Sequence, residues 1–278
     1  MIAVPRPKRP AIMSVPKKGV RGAIGSMEQT SKAGTDALRW MALYRFGGIA
    51  ALLIAVCLVG EIVVFAVFPR PETALEHFAR FRENWLVGLL TLDLLGMVSY
   101  LLFIPTILAL YVALRRSGEA VMAVATALFF VGIADFFATN TAFPVLALSQ
   151  QYAAATTDGE RAIALAAGQA LFTLFNENAF LVSYVIVSAA WTMIAAVMLR
   201  SRLFGRASAY AGILAGASGI IAVVLEHLST ALAAPAIALY FAAIVFLLAW
   251  VLLIGRSLVT LGTVHDLAGP DGGSAAAR

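Results

Sequence analysis

Residues 128–140 read LFFVGIADFFATN, and the one carboxylate in that run, Asp135, decides how the chain is to be read. Around it the residues are aromatic, aliphatic or small. The pattern recurs: Glu61 interrupts LVGEIVVF (58–65) and Asp93 interrupts LLTLDLLGM (89–97). An acid embedded in a long apolar run is expensive in any medium that excludes water, so these acids must be explained by where their helices sit.

The chain has 278 residues, of which 62% are hydrophobic and only 13% charged, and its mean hydropathy is +0.91. A soluble domain carries about 25% charged residues. Several apolar stretches reach about 20 residues, enough to cross a hydrocarbon core of about 30 Å. The runs are continuous and do not alternate strictly, which argues against a β-barrel. The fold class is therefore all-α: a polytopic bundle of six transmembrane helices with amphipathic helices on its outer surface, and the bilayer as its first partner.

The six spans are expected at about 46–68, ending at Pro69; 86–113, with a kink at Pro105; 120–143, ending before Pro144; 178–199; 208–228; and 236–256. A proline in a membrane helix removes one backbone hydrogen bond and is tolerated where neighbours compensate. Gly212 and Gly216 in GILAGASG have the spacing that lets two helix backbones approach closely, and are read as packing residues.

The net charge of +5 matters less than its placement. Lys and Arg crowd the first residues, then recur as Arg115 and Arg116, as Arg200, Arg202 and Arg206, and as Arg256. These regions alternate with loops of mixed sign, so both termini are expected in the cytoplasm and the protein in the plasma membrane. No folded basic face is evident, so a nucleic-acid partner is not expected. Residues 1–34, rich in Pro, Lys, Arg, Gly and Ser, are read as a disordered basic tail whose charge suits contact with anionic lipid; a solvated tail is the alternative. Met27 offers a second possible start. An N-cap at Thr35 or Asp36 then opens a membrane domain spanning 35–258, and 259–278 are read as a flexible cytoplasmic end.

Residues 144–177 are too polar for a span and too rich in helix formers for an open loop. Thr157 and Glu160 have capping-box spacing, which starts a helix near 158. A helix unbroken to Arg200 would be about 60 Å long, twice the hydrocarbon thickness. One or two amphipathic helices capping the outer face, with a break near 176–178, satisfy both constraints.

Counted along the spans, Glu61 and Asp93 lie about 10 Å, and Asp135 about 12 Å, from the outer ends. Asn140, Glu177 and His227 fall at or above the same level. The insertion cost of a charge at the bilayer centre is at least about 2.5–3.5 kcal/mol, so the acids should face the bundle interior. The reading is one outward polar pocket built on Glu61, Asp93 and Asp135 and rimmed by Asn140, Glu177 and His227. Hydrogen bonds to Thr91, Ser99, Tyr100, Thr139 or Ser183 as packing glue, or neutralisation of one acid by Arg80 or Arg82 from the loop, are the competing readings. With three histidines and one cysteine, Cys57, no familiar metal or catalytic constellation is present; no metal, cofactor or oligomeric state can be assigned, and catalysis is not expected.

With six spans, an acid late in the first, LDLL early in the second and GILAG opening the fifth, the chain resembles a family of bacterial six-helix membrane proteins grouped as a domain of unknown function. The resemblance covers roughly residues 40–258. It implies the architecture and brings no activity or site residues. Three functions compete: a membrane protein binding a cation or small polar ligand, a proton- or cation-coupled transporter, and a membrane enzyme acting on lipid.

Overall fold

The computed structural model describes residues 17–69, 71–174 and 180–264. The described residues form nine α-helices: α1 Lys17–Val67, α2 Ala74–Glu83, α3 Trp85–Thr91, α4 Leu94–Thr139, α5 Ala142–Ala154, α6 Asp158–Leu174, α7 Phe180–Met198, α8 Arg206–Leu228 and α9 Ala233–Val264. The chain up to Trp40 is one unit and the chain from Met41 another. Five stretches are long and apolar enough to cross a membrane: Trp40–Val67, Leu94–Ala154, Leu181–Met198, Arg206–Leu228 and Ala233–Thr263.

The second of these stretches crosses twice. The backbone of α4 leaves the helical region at Gly118 and stays helical at Pro105. The rings of Tyr100 and Phe136 lie 4.2 Å apart, and those of Phe103 and Phe129 5.4 Å apart. A straight helix would separate the first pair by about 54 Å. So α4 is a hairpin of two antiparallel limbs, before and after Gly118, and the bundle has six crossings. Glycine is a natural place for the reversal, since the helix-favouring residues around it would otherwise continue α4.

Close contacts order the six crossings into a ring. A methyl group at Gly47 in α1 would strike Pro105 and Ala109 in the first limb of α4, and Thr106 Oγ1 donates to Gly47 O at 3.0 Å. The second limb meets α7 where Gly132 faces Val187 and Ser183. Helix α8 meets α7 through Gly216, against Thr192 and Ser188, and α9 through Gly212, against Trp250. The ring closes where Gly48 of α1 lies against Gly255 and Val259 of α9. At the centre Phe103, Phe129, Trp191 and Trp250 form a buried aromatic column, with Trp191 5.7 Å from Phe103 and 6.3 Å from Trp250. Outward, Phe46, Ile49, Leu53, Val56, Phe241 and Val245 stay exposed, the belt an acyl environment covers. Lipid tails are as apolar as these side chains, so close packing at small residues holds such helices together.

One end of the bundle is basic. Arg115 and Arg116 sit at the hairpin tip; Gly118 is beside Val197, at the end of α7 that leads to Arg200, Arg202 and Arg206; Arg45 lies against Gly262. The opposite end carries a cap. Phe78 and Phe81 of α2, Leu89 of α3, Val145 of α5, and Ala164 and Phe172 of α6 make a second small core, on which Leu94 and Met97 of α4 also pack. Asn84 turns α2 into α3: its Oδ1 accepts from the N–H groups of Leu86 and Val87 at 3.0 and 3.2 Å. The capping box forms reciprocally at α6, with Glu160 N–H donating to Thr157 Oγ1 at 3.2 Å and Thr157 N–H to Glu160 Oε2 at 3.2 Å.

Several boundaries differ from those read in the sequence. Helix α1 begins at Lys17, so residues 17–34 are helical and no helix starts at Thr35 or Asp36; no proline falls between Pro16 and Pro69. Helix α9 likewise continues to Val264, and residues 265–278 lie outside the described ones. The second limb of α4 ends at Thr139 and not before Pro144, which occupies the first turn of α5, where its missing N–H costs nothing. The expected second span is broken: α3 stops at Thr91 and α4 starts afresh at Leu94.

Candidate functional site

The break between α3 and α4 sets the site. Asp93 lies there in the left-handed region, φ 73°, the one non-glycine residue with positive φ among those described. Aspartate tolerates that conformation better than bulkier residues, yet it still costs about 1–3 kcal/mol, and such residues cluster at functional positions. The turn folds the Asp93 carboxylate back over Gly96, where any side chain would collide with it.

Asp93 and Gly96 then form one wall of a cavity of about 330 Å³. Glu61 and Phe65 supply the α1 wall, Ser99, Tyr100 and Phe103 continue the α4 wall, and Tyr184, Trp191 and Tyr240 face them from α7 and α9. The cavity lies towards the capped end of the bundle, since Leu92, Leu94 and Met97 pack on the cap beside it. Its floor, at Phe103 and Trp191, is the upper part of the aromatic column.

The tyrosines are placed by their own neighbours. Tyr100 packs tilted against Phe136, Tyr184 and Tyr240 meet edge-on at 6.2 Å, and Tyr184 is seated over Gly219 of α8. Tyr240 Oη donates to Glu226 Oε2 at 2.6 Å, a short charge-assisted bond that holds the phenol at the end of α8. What results is a pocket with two carboxylates, a serine and several aromatic rings on otherwise apolar walls.

Of the residues singled out in the sequence, Glu61 and Asp93 share this cavity. Asp135 is not in its lining. The next residue, Phe136, faces Tyr100, and one helical step of about 100° turns Asp135 away, towards the side on which Gly132 meets α7. Asp135 Oδ2 is buried with no hydrogen-bond partner. Asn140 is a helix-joint residue whose Oδ1 accepts from Ala142 N–H at 3.0 Å. His227 lies in the last turn of α8, its Nδ1 2.9 Å from Val223 O, beside an apolar groove of about 520 Å³ lined by Val182, Ile186 and Val224. Glu177 lies outside the described residues. Gly212 and Gly216 stand at the α8 contacts with α9 and α7. Arg80 does not reach the pocket but lies over the Phe68 ring at 5.9 Å. Among the described residues no group of three or more His, Cys, Asp or Glu is placed to hold a metal ion.

Among the described residues outside the membrane segments, the carboxylates of Glu160 and Glu76 are shifted. Glu160 is held below the usual carboxylate range by the Thr156 N–H, at 2.8 Å, and then by that of Thr157. Glu76 is held low by the Glu72 N–H, at 2.8 Å. Both are capping interactions and belong to the cap's architecture.

The cavity missed most completely by sequence reading is its aromatic half. Tyr184, Trp191 and Tyr240 look like ordinary membrane aromatics, and a tyrosine in mid-span is the signal that would have found Tyr184. A family model described as a domain of unknown function, DUF4386, matches residues 42–255. The chain belongs to the DUF4386 family. The match covers all six crossings of the bundle, so every described lining residue of the cavity lies within the DUF4386 region. No curated protein and no solved structure matches the chain.

Proposed function

We propose that this DUF4386 protein is a plasma-membrane binding protein, without catalytic activity, whose cavity takes a cationic solute from the outer side. The observation that supports it is the joint exposure of Glu61 and Asp93, from two different helices, to one 330 Å³ cavity. Two carboxylates on walls that are otherwise largely apolar favour a cationic over an anionic solute. The outer placement follows from charge. The basic end of the bundle faces the cytoplasm by the positive-inside rule, so both termini do too, and the cap and the cavity face outward.

Binding is favoured over coupled transport because the cavity ends at Phe103 and Trp191. Below them the buried core of Ile107, Leu110, Met122 and Ile194 continues towards the basic end. A carrier would need polar groups there and a helix broken near the midplane. Among the described residues, the broken span parts at Asp93, beside the cap.

The test is the thermal stability of the purified protein, titrated with monovalent cations at constant ionic strength. The wild type should be stabilised in a saturable way and the Glu61→Gln/Asp93→Asn double variant should not respond. Equal responses of the two proteins would remove the reading.

A further inference from the structure

We infer that the cap carries a second binding site, a pocket between α2, α5 and α6 that takes a small soluble organic oxyanion, a carboxylate or phosphate monoester, through Arg82 and Arg161. The site is separate from the cavity of Glu61 and Asp93 and does not depend on the reading given to that cavity.

The pocket has a volume of about 330 Å³, within the range of sites for small organic molecules. In α2, Leu75, Phe78, Ala79 and Arg82 stand at i, i+3, i+4 and i+7, so they form one stripe along the helix. In α5, Ser149 and Tyr152 share a face by the same spacing, and α6 supplies Arg161. Phe78 belongs to the core of the cap and is buried, which fixes the base of the pocket. Tyr152 packs tilted against Phe78 at 5.5 Å and adds a phenol to the same wall.

The charge of the lining selects an anion. It holds two guanidinium groups and no carboxylate. Arg82 and Arg161 are both exposed, and a guanidinium presents five N–H donors in a planar fork that fits a carboxylate or phosphate. Arg161 is committed only loosely: Nη1 donates to Asp158 Oδ1 and Nη2 to Ala155 O, each at 3.4 Å, where a tight charge-assisted bond is about 2.7–2.9 Å. Among the described residues no carboxylate pairs with Arg82. The nearby acids are otherwise engaged or turned aside. Glu76 Oε2 accepts from Glu72 N–H, and Glu160 Oε2 accepts from the N–H groups of Thr156 and Thr157. Glu83 lies about a quarter turn round α2 from the stripe that ends in Arg82. Two like charges at one cleft raise the local concentration of the opposite sign.

Two features distinguish the solute from an inorganic ion and from a bilayer. Leu75, Phe78 and Ala79 make an apolar wall beside the arginines, and an organic body on the oxyanion covers it. Anionic lipid is gathered by clusters of about four to eight Lys and Arg. Here α2 and α6 hold Glu76, Glu83, Asp158 and Glu160 against Arg80, Arg82 and Arg161, so the positive charge is confined to the pocket. Asp158, beside Arg161 at the rim, is fully exposed.

The experiment measures thermal stabilisation of the full-length protein in detergent, at constant ionic strength, by sodium benzoate, benzyl alcohol and inorganic phosphate. Benzoate should stabilise the wild type saturably, phosphate more weakly and benzyl alcohol not at all. Arg82→Gln and Arg161→Gln should each weaken benzoate binding about five- to tenfold, the loss of a hydrogen bond to a charged group. Arg82→Lys, which keeps the charge and loses the fork, should fall between and serves if Arg82→Gln does not fold. Glu61→Gln/Asp93→Asn should respond to benzoate as the wild type does. Equal benzoate responses of the wild type and both arginine variants overturn the inference, as does no stabilisation by benzoate. Phosphate or benzyl alcohol matching benzoate overturns it too. So does stabilisation confined to phosphatidylglycerol in nanodiscs and lost in Arg82→Gln, which assigns the pocket to a lipid headgroup.

Discussion

The carboxylate of Asp93 folds over the backbone of Gly96, three residues further along the chain, and fills the space a side chain there would need. Two effects of Gly96→Ala therefore oppose each other. Helix propensity alone favours alanine by about 1 kcal/mol. Steric displacement moves Asp93 out of the cavity wall. The expected outcome is a protein that folds but whose cation-dependent stabilisation falls to that of Asp93→Asn, measured by thermal unfolding across a ligand titration.

The hairpin tip and the cap lie at opposite ends of the bundle, so they report orientation directly. A cysteine at Ser117, next to Gly118, should be protected from an impermeant thiol reagent in intact cells, and one at Thr157, at the start of α6, should react. The reverse labelling pattern would turn the bundle over and place the cavity on the cytoplasmic side.

Gly216 is a close point of the α7–α8 contact: a methyl group there would overlap the Thr192 hydroxyl and approach Ser188 O at 2.6 Å. Neither neighbour can yield easily, because Thr192 Oγ1 is bonded to Ser188 O at 2.9 Å. Gly216→Ala should destabilise the protein by about 1–3 kcal/mol, the usual cost of overpacking. The check is the denaturation midpoint in mixed micelles, with Gly205→Ala as the control, since nothing lies within 4 Å of a methyl group at Gly205.

The cap should loosen in acid through Glu160. Its carboxylate is held low in the folded protein, so its contribution to α6 is complete above the ordinary carboxylate pKa and is lost as the pH falls through the lower, folded value. The protection of the α6 amides, taken relative to their intrinsic exchange rate at each pH, should therefore fall below pH 4.5. Glu160→Gln, which keeps an acceptor and loses the charge, should flatten that dependence. Exchange in α8, which has no such cap, should not follow the same curve.

Number and class of the crossings were legible because they rest on summed apolarity, which tertiary packing does not alter. Helix ends were less so. Pro105 and Pro144 attracted the expected break points, but Pro105 is accommodated within α4 and Pro144 opens α5; the real interruptions are at Asp93, Gly118 and Asn140. The depth of an acid can be counted along a span, and that count set Glu61 and Asp93 at one level; both line one cavity. Its azimuth cannot be counted without knowing which neighbour each face meets. Asp135 shares the depth, yet Phe136 holds the face that meets Tyr100. The aromatic lining was illegible for a related reason: rings belong in membrane helices anyway, and only the convergence of α4, α7 and α9 makes Tyr100, Tyr184 and Tyr240 into one wall.

The ring of helices closes between α1 and α9, which are the first and the last crossings to be synthesised. Glu61 therefore leaves the ribosome long before Tyr240 and Leu247, which complete its surroundings. Until α9 arrives, that carboxylate has one flank open to lipid. A nascent chain arrested after Leu228 would thus carry a polar group on its bare side.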